Sequence, residues 1–289
     1  MTVVVQPSNR TRAVGAVANL WRGLRGSYSA LIGTTVLLFW ILCALFGYLV
    51  VPYDTLAVDP IYAFAPPSAA HLFGTDALGR DVFSRVIVGS REIFLVAPIA
   101  TILGVALGTL VGLAVGYFRG TFDAVAGRLM DAVISLPTVV VALVALAALG
   151  PSKVTIVLVV AFVFMPYVTR TVRTAVLHER ELEYVEAARI RGENAFYIIT
   201  VEILPNVASL VVVEATVRLG YAIFAVTTLS FIGFGIQPPS PDWGLAIFEG
   251  YGFLAAGLWW PTLFPALAIA SLVVSVNLLA DGIAESFQE

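Results

Sequence analysis

In this chain of 289 residues the side chains able to do chemistry are few and unevenly spread. Glu214 and Arg218 stand four residues apart inside an otherwise apolar stretch, 207–233. That spacing puts them on one face of a helix, close enough to pair. A charge pair at membrane depth either marks a route for a polar solute or neutralises itself beside a cavity or a partner subunit; the sequence leaves both open. His71 and His178 lie far apart in polar segments, so no metal site is expected on them. The one lysine, Lys153 in "GPSKVT", lacks the glycine spacing of a phosphate-binding loop. The long apolar stretches hold no histidine and no serine beside a plausible base, which argues against an intramembrane enzyme. Cys43 is the one cysteine, so no intrachain disulfide is available. Nothing points to an enzyme or to nucleic-acid binding.

The polar segment 178–206 stands out from its oily surroundings. It carries Glu179, Glu181, Glu183, Glu186, Glu193 and Glu202 together with Arg180, Arg189 and Arg191. Such a density of charge belongs in water. "RELEYVEAARIR" is rich in helix formers and puts Leu182, Val185 and Ala188 on one face. Gly192 can end that helix in the left-handed conformation, Asn194 can cap the next, and Pro205 sits where a further helix can begin. Ala187 and Ala188 expose little side chain, so a partner can come close, and Glu186 offers a carboxylate to an arginine on that partner.

The elements that position these groups are membrane helices. The chain is 60% hydrophobic and 12% charged, where soluble domains run near half and a quarter. Six stretches are long enough to cross about 30 Å of hydrocarbon: 30–52, 93–118, 129–149, 154–177, 207–233 and 260–282. With the N-terminus inside, the inner segments hold Arg10, Arg12, Arg22, Arg25, Arg119, Arg128, Arg170, Arg173, Arg180, Arg189 and Arg191, and the outer ones only Arg80, Arg85, Arg91 and Lys153. That bias predicts both termini in the cytoplasm and an all-α, six-span protein. Residues 1–29 form a cytoplasmic segment, with an amphipathic surface helix over 14–24, and 30–289 the membrane domain. The stretch after residue 29 is too long for a cleaved leader. Gly104, Gly108, Gly112 and Gly116 form a stripe that lets another helix approach closely. Pro137, Pro166, Pro261 and Pro265 remove helix hydrogen bonds within or near spans. Two outer loops are long, 53–92 and 234–259. In the first, Thr75 and Asp76 are candidate caps for a helix with Val82, Phe83, Val86 and Ile87 on its apolar face. Tyr48, Tyr53, Trp243, Trp259 and Trp260 fall at the outer boundary, where aromatic anchors sit.

Three segments carry a family resemblance. Glu186-Ala187-Ala188, three residues, Gly192, eleven residues and Leu204-Pro205 resemble the signature loop of permease subunits in bacterial ATP-driven importers. Position 202, apolar or neutral in that pattern, is Glu202 here. "GTDALGRDVFSR" (74–85) and "LSFIGFGIQPPSPDWG" (229–244) are similar to hallmarks of the dipeptide, oligopeptide and nickel permease group, in the subunit type with an N-terminal extension. They bring in Gly74, Thr75, Asp76, Gly79, Arg80, Asp81, Gln237, Pro238, Pro239, Trp243 and Gly244 as outer motif residues. The resemblance implies a coupling helix at 178–206, between the fourth and fifth spans, that inserts into a separate ATPase subunit. It implies a second permease subunit, two ATP-binding subunits that hold ATP and magnesium, and an extracytoplasmic substrate-binding protein docking on the outer loops. No cofactor is expected on this chain itself. The setting it implies is a bacterial inner membrane, and the cargo di- or oligopeptides, with nickel chelates or another small solute as the alternative. An ion-coupled carrier is the rival class, marked by midplane charges and inverted repeats.

Overall fold

The computed structural model describes residues 28–286. The amphipathic helix expected over 14–24 lies outside them. The described residues are helical, with one isolated bridge between Thr75 and Asp81 and no strand among them. In chain order we label α1 (Tyr28–Val50), α2 (Val82–Phe118), α3 (Gly120–Ile134), α4 (Thr138–Leu149), α5 (Lys153–Glu179), α6 (Glu183–Ile190), α7 (Ala195–Phe231), α8 (Trp243–Gly250) and α9 (Trp260–Ser286). Five of them, α1, α2, α5, α7 and α9, are long and apolar enough to cross a membrane.

The stretch 129–149, expected as one span, is not a continuous helix. α3 and α4 meet at 88°. Pro137 disfavours the helical region for Leu136 and itself sits at ψ 122°, so α3 closes at Ile134 and the chain restarts in a new direction. Only if the bent pair counts as one crossing are there six.

α2 starts eleven residues before the expected 93, at Val82, and runs for 37 residues. At 1.5 Å per residue it is about 55 Å long, well beyond the hydrocarbon thickness. Its cap is Asp81, whose carboxylate accepts the Ser84 N–H, and not Thr75 or Asp76. Those two build the preceding loop: the Thr75 hydroxyl accepts from the Ala65 N–H, and Asp76 accepts from the N–H groups of Leu78 and Arg80.

α2 and α5 lie side by side along the glycine stripe. Gly104 faces Ala161, Gly108 faces Met165 and Val168, Gly112 faces Thr169 and Val172, and Gly116 faces Arg173 and Val176. A Cβ on Gly108 would stand 2.6 Å from the Val168 Cβ, so the spacing of the helices requires glycine. One buried cluster gathers around Trp40, Ile93, Leu146, Ile156, Ile223, Trp243 and Leu272. A second joins the C-terminal parts of α2 and α5 and the N-terminal part of α7 to α6, through Leu113, Val172, Val176, Val185, Ala188, Ile203 and Val207.

Candidate functional site

The segment between α5 and α7 is a short elbow. Three residues separate Glu179 from Glu183, and four separate Ile190 from Ala195. α6 ends where Gly192 takes φ +81°, and the Asn194 side chain accepts the Tyr197 N–H to start the next helix. That helix does not stop for Pro205. It passes through a wider π turn, Ile198–Ile203, in which the Leu204 N–H reaches back to Ile199 O, and it continues to Phe231. Pro205 has no N–H to donate, and the widened turn absorbs the mismatch without breaking the helix.

The two alanines differ in exposure. Val185 and Ala188 are fully buried against Val176, Ile198 and Val207, whereas Glu186, Ala187, Arg189, Ile190 and Gly192 are exposed. Ala188 is therefore a packing residue, and only Ala187 offers the close outward approach expected of both. Leu182, expected on the buried face, precedes α6 and is exposed. Leu204 is half-buried and Pro205 exposed. Glu202, the departure from the family pattern, accepts from Arg191 Nη2 at 2.9 Å and ties the end of α6 to the π turn. Tyr184 donates to Glu179; burial, with that bond second, pushes its hydroxyl up to about 12.

At the other end of the molecule the motifs 74–85 and 229–244 fold onto each other. Asp81 caps α2 and also accepts from His71 Nδ1 and from the Ser84 hydroxyl. Arg80, almost fully buried, donates through Nε to Asp76 and through Nη2 to Glu249 of α8, both at 2.6 Å. Arg85 donates to the carbonyls of Thr55 and Ser240 at 3.0 Å. Trp243 and Trp260, expected as interfacial anchors, are instead buried: their indole N–H groups donate to Val86 O and to Thr75 O. Their rings are held by tertiary contacts, Trp40 lying edge-on to Trp243 and Trp260 against Gly74. Gly79 leaves room for Asp59 O, and Gly244 for Thr227 O. Gln237, Pro238 and Pro239 lie at an exposed tip, with a cis bond between the prolines. Asp242 caps α8 through the Leu245 N–H. Burial pushes its carboxyl up to about 6, against the pull of that bond. Sequence reasoning missed His71, Arg85, Asp242, Glu249 and the buried role of Trp260. A polar pair like Arg80 and Glu249, 169 residues apart, leaves no local signal.

In the part of α7 that follows the π turn, Arg218 Nε donates to Glu214 Oε1 at 2.6 Å. The guanidinium also lies over the rings of Tyr167 and Tyr221, 5.0 and 5.5 Å from their centroids. Arg218 and the two tyrosines border a cleft of about 520 Å³ between α4, α5 and α7. Tyr221, at i+3 from Arg218, was legible as a neighbour; Tyr167 on another helix was not.

Apolar helices long enough to cross a bilayer, joined by a charged elbow on one side and a buried polar clasp away from it, define a polytopic helical membrane protein. Comparison with known proteins places it further. Residues 104–288 match the family described as binding-protein-dependent transport system inner membrane component, and 17–67 match the N-terminal TM domain of oligopeptide transport permease C. The chain is 36% identical to the probable D,D-dipeptide transport system permease protein DdpC of Escherichia coli K12, over 98% of this chain and 94% of that protein. It is 33% identical to the di/tripeptide transport system permease protein DppC of Pseudomonas aeruginosa, over 92% and 89% of the two chains. Against the dipeptide transport system permease protein DppC of Bacillus subtilis it is 34% identical over 92% and 83%. The chain belongs to the binding-protein-dependent inner-membrane permease family, and is a multi-pass transport subunit of the inner membrane, not an enzyme.

Proposed function

We propose that this chain is one of two permease subunits of an ATP-driven importer of di- or oligopeptides, and that α6 is the coupling helix through which ATPase subunits move it. The bent pair α3–α4 serves as one crossing, which makes six and leaves both termini on the cytoplasmic side with the elbow. Residues 1–29 are the cytoplasmic extension and 30–289 the permease domain. ATP and magnesium belong to two partner subunits, and the outer clasp receives a substrate-binding protein. The peptide cargo is supported by the names of the relatives.

One observation carries the coupling role: α6 is fixed to both α5 and α7 on its inner face, while Glu186, Ala187 and Ile190 stand free on its outer face. A force on the exposed face therefore moves two membrane helices as rigid levers. Such motion responds to ATP only if ATP binds the two states of the machine unequally. Uptake of a labelled dipeptide by cells carrying Glu186→Lys tests this. Transport is expected to vanish with membrane insertion intact; unchanged uptake contradicts the docking role.

A further inference from the structure

We propose that Arg218, steadied by Glu214, Tyr167 and Tyr221, is a waypoint in the transport path that recognises the C-terminal carboxylate of the passing peptide. The inference rests on the peptide reading above. Arg218 lies near the middle of the part of α7 that follows the π turn, 14 residues from Leu204 and 13 from Phe231. Its side chain is 16% exposed and that of Glu214 12%, so the pair is shielded yet reachable. Glu214 occupies only the Nε edge of the guanidinium. The Nη groups, which form the two-pronged edge that fits a carboxylate, have no hydrogen-bond partner among the described residues. Tyr167 and Tyr221 hold the guanidinium plane by cation–π contact, which leaves its hydrogen-bonding edge free.

The surroundings suit a solute better than a self-contained ion pair. Arg218 borders the cleft of about 520 Å³, whose other walls include Phe164, Phe224 and Val139. That is room for a small peptide, with apolar walls for its side chains. The first turn of α4, directly after the break at Pro137, forms one edge of the cleft. Broken backbone at membrane depth is tolerated where it lines a cavity. Glu214 offsets the charge of an empty site and so keeps Arg218 inside the membrane between turnovers. A carboxylate that arrives at the free edge adds a second, charge-assisted contact, while apolar side chains meet the walls.

The test uses the complete importer, permease pair with ATPase subunits and binding protein, in proteoliposomes. Initial uptake of a labelled tripeptide is compared with that of its C-terminal amide, each preloaded on the binding protein. Arg218→Gln is expected to lower uptake of the acid at least tenfold and that of the amide less than twofold, and Arg218→Lys to fall between. Because Arg218→Gln strands Glu214, the double variant Glu214→Gln/Arg218→Gln is measured as well, and it is expected to show the same selective loss. Equal loss of acid and amide in both variants, or full uptake of both by the double variant, overturns the proposal and leaves a pair that serves only itself. If the unmutated importer moves neither peptide but moves another solute, the peptide reading has failed instead.

Discussion

Gly192 ends α6 at φ +81°, and a Cβ built there meets nothing within 4 Å. In the isolated chain a side chain at this position therefore costs only backbone strain. For alanine in the left-handed region that is about 1–2 kcal/mol. Asparagine, which visits the region more readily, costs less. Tryptophan costs about as much as alanine, since its bulk projects into open space. Folding alone thus ranks the variants Gly192→Asn, then Gly192→Ala and Gly192→Trp together. A partner seated on the elbow ranks them by size, because the space that is empty here is then filled by the ATPase subunit. The assay pairs thermal unfolding of the purified permease pair in mild detergent with retention of ATPase subunits on an affinity column. Alanine and tryptophan should unfold alike, about 1–3 °C below asparagine, while tryptophan alone loses the ATPase. Retention of the ATPase by Gly192→Trp at the alanine level refutes the docking of this face; an alanine variant as stable as the parent refutes the strain argument.

Two further outcomes follow from the packing. Gly108→Ala places a Cβ 2.6 Å from that of Val168, and should destabilise the α2–α5 pair by about 1–3 kcal/mol in a detergent unfolding assay. Gly127→Ala, inside α3 with nothing within 4 Å of the added Cβ, is the matched control and should be neutral to stabilising by up to about 1 kcal/mol. Asp242 has its folded pKa raised to about 6 by burial, above the ordinary carboxyl value. The folded state therefore holds its proton more tightly than the unfolded one. Stability falls as pH rises from about 4 to about 6 and stays lower above that. Unfolding curves of the parent should show this loss, and those of Asp242→Asn should show less of it.

What the sequence made legible was local. Gly192 and Asn194 announced the end of one helix and the start of the next, because φ > 0 and a side-chain cap are satisfied within a few residues. The apolar stretches announced membrane helices for the same reason. What failed depended on distant partners. Trp243 reads as an interfacial anchor until Val86 O and Trp40 are placed beside it. Asp81 competes with Thr75 and Asp76 as a cap, and the choice is settled by loop contacts to Tyr62 and Ala65. Ala187 and Ala188 look alike in sequence; the second is buried because Val176 and Val207 close over that face. The π turn before Pro205 and the break at Pro137 show one residue type with two outcomes. A proline in a helix leaves a carbonyl without its donor, and whether the turn widens or the chain bends is decided by packing.

The most direct measurement is site-specific photocrosslinking from position 186 in the assembled importer within native membranes. With a photoreactive residue in place of Glu186, illumination should join this chain to an ATP-binding subunit, and the same residue at Ala188, buried against α5 and α7, should not. A position-186 probe that yields no adduct with any nucleotide-hydrolysing chain, in membranes that still import, would contradict the coupling role of α6.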